Sequence, residues 1–171
     1  MNISRLSISL FILILIIVLA CNETKKTAKS GESASPPVNS ASMQLRNRIT
    51  GYAQKYVGAS YKYAGTSPNT GFDCSGFTSY VLKEFKVKVS PASAEQSKQG
   101  VKVSLERVRP GDLVFFGDKN RIQHVAIVVE RKKSGIICVH STTSRGVIVE
   151  NVSTSTYWKP KILFARDVIG K

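Results

Sequence analysis

Histidine is almost missing from this sequence: 171 residues contain only His124 and His140. Any imidazole chemistry must use one or both. Cysteine is also scarce. Cys21, Cys74 and Cys138 give neither the even count of a disulfide scaffold nor the paired spacing of a four-thiolate zinc site. Acidic side chains number 11 against 25 lysines and arginines, a formal charge of +14. Such a surplus suits an anionic polymer or lipid surface. Six prolines and twelve glycines without an internal repeat exclude fibrous and solenoid architectures. With 42% hydrophobic and 21% charged residues, the chain is neither a disordered polymer nor a multi-spanning membrane protein. Its length suits one domain of ordinary size.

The longest apolar run, Leu6 to Ala20, reads LSISLFILILIIVLA. It falls short of the ~20 residues of a comfortable membrane span and follows a leader carrying Arg5, the pattern of a secretory signal. Val18-Leu19-Ala20-Cys21 resembles a bacterial lipobox. The resemblance implies that residues 1–20 are removed and that Cys21 is lipidated, attaching the chain to a membrane. Asn22 stands where an aspartate would signal inner-membrane retention, which favours the outer membrane, facing the periplasm, in a Gram-negative cell. An exported chain rarely meets nucleic acid, so cell-wall polymer or anionic lipid is the expected counter-charge. Residues 22–42 carry Val38 as their one aliphatic residue beyond alanine and no aromatic. They read as a flexible tether, leaving 43–171 as the folded unit.

Within that unit, Met43, Leu45, Ile49, Tyr52, Ala53 and Tyr56 recur at helical spacing. They predict a helix over 43–57, with Ser42 as N-cap and Gly58 as stop. A turn-rich loop follows. Phe77, Tyr80, Val81 and Phe85 predict a second helix starting near Asp73–Cys74, and 91–100 reads as a short helix or turn. Residues 113–116, 122–129, 136–140, 147–151 and 162–166 are β-rich. Helices followed by antiparallel strands indicate an α+β fold, the helices packed on one face of a small sheet.

The second helix start carries the chemistry. Asp73 is the natural N-cap, Gly76 keeps the first turn sterically open, and helix-start amides stabilise a thiolate at Cys74 or an oxyanion. The plain alternative is that Cys74 is a small core hydrophobe. His124 and His140 fall on consecutive strands joined by a short turn, which can set the imidazoles side by side. A thiol needs an imidazole to take its proton, and that imidazole needs a third group to fix its tautomer. Two histidines and one cysteine without a supporting carboxylate motif argue against a metal, and no cofactor is expected. Asp112 reads as a turn stabiliser, Arg145 as an ordinary exposed hairpin arginine or else a partner for a substrate carboxylate, Trp158 as core or rim, and Cys138 as a buried, inert thiol.

Several separated stretches resemble the NlpC family of bacterial cell-wall cysteine peptidases. They are Ser60-Tyr61-Lys62-Tyr63-Ala64-Gly65, Gly71-Phe72-Asp73-Cys74-Ser75-Gly76-Phe77, Gln96 in SAEQSKQG, Arg109–Phe116, His124–Ile127 and His140–Val147. The likeness spans essentially all of 43–171. It departs at Ala64, where the family usually has glycine, and at Ser60, where proline is common. The resemblance implies a papain-like fold and hydrolysis of peptide bonds in peptidoglycan stems or cross-bridges; a monomer is expected. It implies Cys74 as nucleophile, His124 as general base then acid, and His140 as orienting residue. Tyr61 would border the oxyanion region, and Asp73 and Ser75 would line the adjoining substrate pocket. Asp73 thus has two readings, helix cap and recognition of a substrate ammonium. The functional expectation is a lipid-anchored envelope endopeptidase. Rival readings are an amidase cutting the glycan–stem amide and a non-catalytic wall-binding lipoprotein.

Overall fold

The computed structural model describes residues 38–119 and 121–170. The signal segment 1–20, Cys21 and most of the tether lie outside the described residues. None of the described helices is long and apolar enough to cross a membrane.

The first helix, α1, is Val38–Gln54. It starts five residues before the expected position, so Ser42 lies inside the helix rather than at its cap. Five residues of the expected tether are therefore helical. Nothing between 38 and 42 breaks a helix, and Pro37, just before them in the sequence, is a residue type suited to helix starts. At the other end, the amides of Lys55, Tyr56 and Val57 each bond three residues back at 3.2 Å. This tightened turn replaces the last turn expected to 57. Gly58 then stops it at φ +91°, in the left-handed region that favours glycine.

The strands β1 (Thr66–Ser67) and β2 (Gly71–Phe72) form a two-stranded ribbon inside the expected loop. Helix α2, Cys74–Glu84, begins where the sequence placed it, capped by Asp73. The short α3, Ser93–Gln96, lies within the 91–100 segment. Six strands follow: β3 (Val101–Val103), β4 (Leu113–Gly117), β5 (Ile122–Lys132), β6 (Gly135–Thr142), β7 (Gly146–Asn151) and β8 (Ile162–Asp167). Their order is β3-β8-β4-β5-β6-β7, antiparallel throughout. The edge strand β3 was not legible as a strand, because three residues are too few to show alternation.

Alternation divides the sheet's apolar residues between two faces. Leu113, Phe115, Val125, Ile127, Val139 and Val147 pack with Ile49 and Ala53 of α1 and Phe77, Val81 and Leu82 of α2. Val114, Phe116, Ala126, Val128, Cys138 and Ala165 face the opposite side, covered by Trp158 and Val152 from the β7–β8 connection. The architecture is α+β, with the helices on one face as expected.

A buried ion network joins α1 to the sheet ends. Arg46, 1% exposed, donates through Nη1 to Asp112 Oδ1 (2.6 Å) and Pro110 O (3.0 Å), and through Nη2 to Asp167 Oδ1 (2.6 Å). Asp112 Oδ2 accepts the Arg109 amide at 2.8 Å, as its turn-stabilising reading requires. Removing one partner of a buried pair leaves uncompensated charge. Arg46→Met is therefore expected to cost about 3–5 kcal/mol in chemical denaturation. A loss below about 1 kcal/mol would show the network to be dispensable.

Candidate active site

Cys74 is the first residue of α2. Asp73 makes that start: its Oδ1 accepts the Gly76 amide at 2.6 Å and the Ser75 hydroxyl at 3.1 Å. One carboxylate oxygen is thus engaged in capping. Ser75 is buried, and neither residue lines the cleft described below. A second support comes from Gln96, which is fully buried. Its Oε1 accepts the Thr78 hydroxyl (2.9 Å), and its Nε2 lies 3.1 Å from Ser75 O, 2.9 Å from Ser79 Oγ and 2.7 Å from Ser90 O. Gln96 fixes the first turn of α2 from behind.

Segment 59–62 reaches the site along two backbones. Gly58 N and Val147 O (2.8 Å), with Val147 N and Ala59 O (2.9 Å), bind it to β7. Phe72 N to Ser60 O (3.0 Å) and Lys62 N to Phe72 O (3.1 Å) bind it to β2. Tyr61 is thereby set at the cleft. Ala64, in the same loop, has φ +55°. This is the left-handed conformation, which glycine adopts at less steric cost than alanine.

His124 comes from β5 and His140 from β6, both on the face that carries Trp158. His124 Nε2 and His140 Nδ1 are 2.8 Å apart. The His124 ring stacks on Trp158 at a centroid distance of 4.4 Å and 26°. His140 is fully buried, and its Nε2 lies 3.1 Å from Glu150 Oε1. Sequence reasoning missed Glu150. It sits on β7 opposite Cys138, one residue pair diagonal from His140, within reach of a long side chain. The signal was the register of the β6–β7 hairpin, which the sequence left undetermined. Trp158, expected in the core or at the rim, is buried and also lines the cleft.

Tyr61, Cys74, His124, Ser141, Arg145 and Trp158 are among the residues around one cleft of about 390 Å³. Ser141 also donates to Phe72 O at 2.7 Å, tying β6 to the residue before the Asp73 cap. The charged residues lining the cleft are Arg145 and Lys161, both cationic. Cys138 is a fully buried free thiol, and burial pushes its pKa well up. Among the described residues, no group of three or more His, Cys, Asp and Glu side chains is arranged to hold a metal.

The electrostatics differ from the expectation of a lowered thiol pKa. Burial raises the Cys74 pKa most, and the Asp73 carboxylate adds to it. The amides of Val125, Ser75 and Cys74 itself pull it down without overcoming burial. Burial likewise raises the Tyr61 phenol, with Cys74 and Asp73 contributing. Burial, then His140, holds His124 well below 6.5. Burial lowers His140 to about 4 against the opposing pull of Glu150. At neutral pH these shifts leave the Cys74 thiol and both imidazoles uncharged.

A depressed imidazole pKa has a fixed sign for stability. The unfolded chain binds protons first, so this pair's contribution to stability is complete above pH 6.5 and falls as pH drops towards about 4. We expect the thermal midpoint to decline over that window. The acid limb of any Cys74-dependent activity should also have its midpoint below 6.5. An acid limb at or above 6.5 would contradict the burial of this pair.

Comparison with known proteins shows what the chain is similar to. Residues 58–167 match the model of the NlpC/P60 family. The chain is 34% identical over 124 residues to a Bacillus subtilis gamma-DL-glutamyl hydrolase, covering 70% of this chain and 29% of that protein. It therefore spans less than a third of that relative's length. It is 32% identical over 130 residues to the Escherichia coli murein DD-endopeptidase MepS/murein LD-carboxypeptidase, covering 75% of this chain and 66% of that protein. A Staphylococcus aureus structure described as similar to lipoprotein, of the NLP/P60 family, superposes with TM-score 0.64 at 30% identity. That match covers 75% of this chain and 42% of the other.

Proposed function

Because the chain belongs to the NlpC/P60 family, we propose that it is a peptidoglycan endopeptidase working through Cys74, His124 and His140, held at the cell envelope by a lipid on Cys21. The observation that carries this reading is the 2.8 Å contact between His124 Nε2 and His140 Nδ1 beside a cleft that Cys74 also lines. The names of the Escherichia coli and Staphylococcus aureus relatives support wall peptide bonds as substrate and a lipoprotein as form.

A neutral imidazole near a neutral thiol is suited to general-base catalysis. As Sγ of Cys74 attacks the substrate carbonyl carbon, its proton passes to His124. The oxyanion is met by amides at the start of α2, with the Tyr61 hydroxyl at its border. His124 then returns the proton to the leaving amine as the C–N bond breaks, giving a thioester. Water, activated by His124, hydrolyses the thioester and restores the thiol. Asp73 acts first as the cap that aims this helix start, and Ser75 shares its oxygen.

The test is digestion of purified sacculi by the full-length protein, with mass analysis of the released fragments. Cleavage between stem or cross-bridge amino acids is expected. Release of intact stems from glycan would replace the proposal with an amidase, and binding without release would make the protein a non-catalytic wall lipoprotein. For the lipid, a palmitate analogue should label the wild type and not Cys21→Ala. Equal labelling of both would remove the anchor from the proposal.

A further inference from the structure

We infer that Glu150 is a positioning residue that fixes the tautomers of both histidines and thereby exposes the basic nitrogen of His124. This deepens the proposed function and rests on its assignment of His124 as base. One carboxylate oxygen is decisive. Glu150 Oε1 lies 3.1 Å from His140 Nε2, 2.7 Å from Arg145 Nη2 and 3.0 Å from Trp158 Nε1. Guanidinium and indole nitrogens only donate, so this oxygen is held as an acceptor beside a positive charge. His140 Nε2 must therefore carry a hydrogen.

The consequence propagates through the pair. A neutral imidazole has one N–H, so His140 Nδ1 is a bare acceptor. The 2.8 Å contact then requires His124 Nε2 to donate. That leaves the lone pair of His124 on Nδ1, the atom available to take the Cys74 proton. With the opposite polarity, His140 Nδ1–H would donate to His124 Nε2, and Nδ1 of His124 would already carry its hydrogen. The carboxylate, by being unable to donate, selects the competent arrangement.

Glu150 also places negative charge behind His140 when His124 becomes an imidazolium. Its own position is fixed from two further directions. Trp158 bonds the carboxylate through Nε1 and stacks on His124 at 4.4 Å, so one indole orients both ends of the relay. Arg145, about half exposed at the cleft, holds the same oxygen from the other side.

The experiment is made simple by the sequence, since the protein has only two imidazoles to observe. Ring-nitrogen NMR of the full-length protein in detergent, in a Cys74→Ala background, reads tautomers without turnover. Both histidines should show Nε2–H. In Glu150→Ala, His140 should lose that single tautomer. In the Cys74-containing protein, Glu150→Ala should lower kcat roughly tenfold to a hundredfold, the weight of a charge-assisted hydrogen bond, with KM little changed. Glu150→Gln keeps an acceptor oxygen without the charge, so it should retain the tautomers yet lose part of kcat; it also serves if the alanine variant does not fold. Unchanged tautomers in Glu150→Ala, or full kcat in either variant, would overturn the inference and leave a strand-packing role. Because the tautomers are read without Cys74, their outcome is distinct from failure of Cys74 as nucleophile.

Discussion

Full-length protein carrying Cys74→Ala should release no fragments from sacculi above background, and His124→Ala should behave the same way. Groups that share one proton transfer act as a unit, so each single loss is expected to cost roughly 10⁴-fold or more in kcat. The effect is large because the alternatives are few. Cys138 is fully buried, and Cys21 is the proposed lipid attachment, so neither can replace Cys74. No third histidine exists to replace His124. His140→Ala should be milder, about 10²-fold, because water can partly substitute for an orienting acceptor. That ranking separates a Cys–His pair with an orienting third group from three equivalent members. Circular dichroism should show that the Cys74 and His124 variants remain folded. Measurable turnover by folded Cys74→Ala protein would end the mechanism.

The parts legible in the sequence were those with a local cause. Asp73, Cys74 and Gly76 announce a helix start within four residues, and the structure places the cap there. The two histidines were legible as neighbours because they fall on consecutive strands joined by a short turn. The rest depended on distances that local patterning does not encode. Glu150 reaches His140 only through the register of β6 and β7, and a one-residue slip would turn it to the other face. Arg46 reads as an ordinary polar position of an amphipathic helix, yet its partners Asp112 and Asp167 are 66 and 121 residues away. The thiol pKa departs from the sequence expectation for a related reason. Helix-start amides are visible in sequence, but the burial that outweighs them comes from the packed fold.

Gly76→Ala should damage both stability and turnover, although it adds only one methyl group to a helix. A Cβ at this position would lie 2.0 Å from the carbonyl oxygen of Gly65, and that oxygen already accepts the Asp73 amide at 2.9 Å. The clash is with backbone, so no side-chain rotation relieves it. Either the start of α2 or the 60–65 loop must shift, and the loop carries Tyr61 into the cleft. Overpacking of this kind costs about 3 kcal/mol, and displacement of the oxyanion border should lower kcat by roughly tenfold or more. Gly51 supplies the internal control. It lies in α1, and a Cβ there would meet no atom within 4 Å, so Gly51→Ala should stabilise by up to about 1 kcal/mol through helix propensity alone. Denaturation midpoints of the two variants should therefore move in opposite senses, and only Gly76→Ala should slow fragment release. Wild-type stability and rate in Gly76→Ala would mean that the Tyr61 loop does not depend on its close approach to α2.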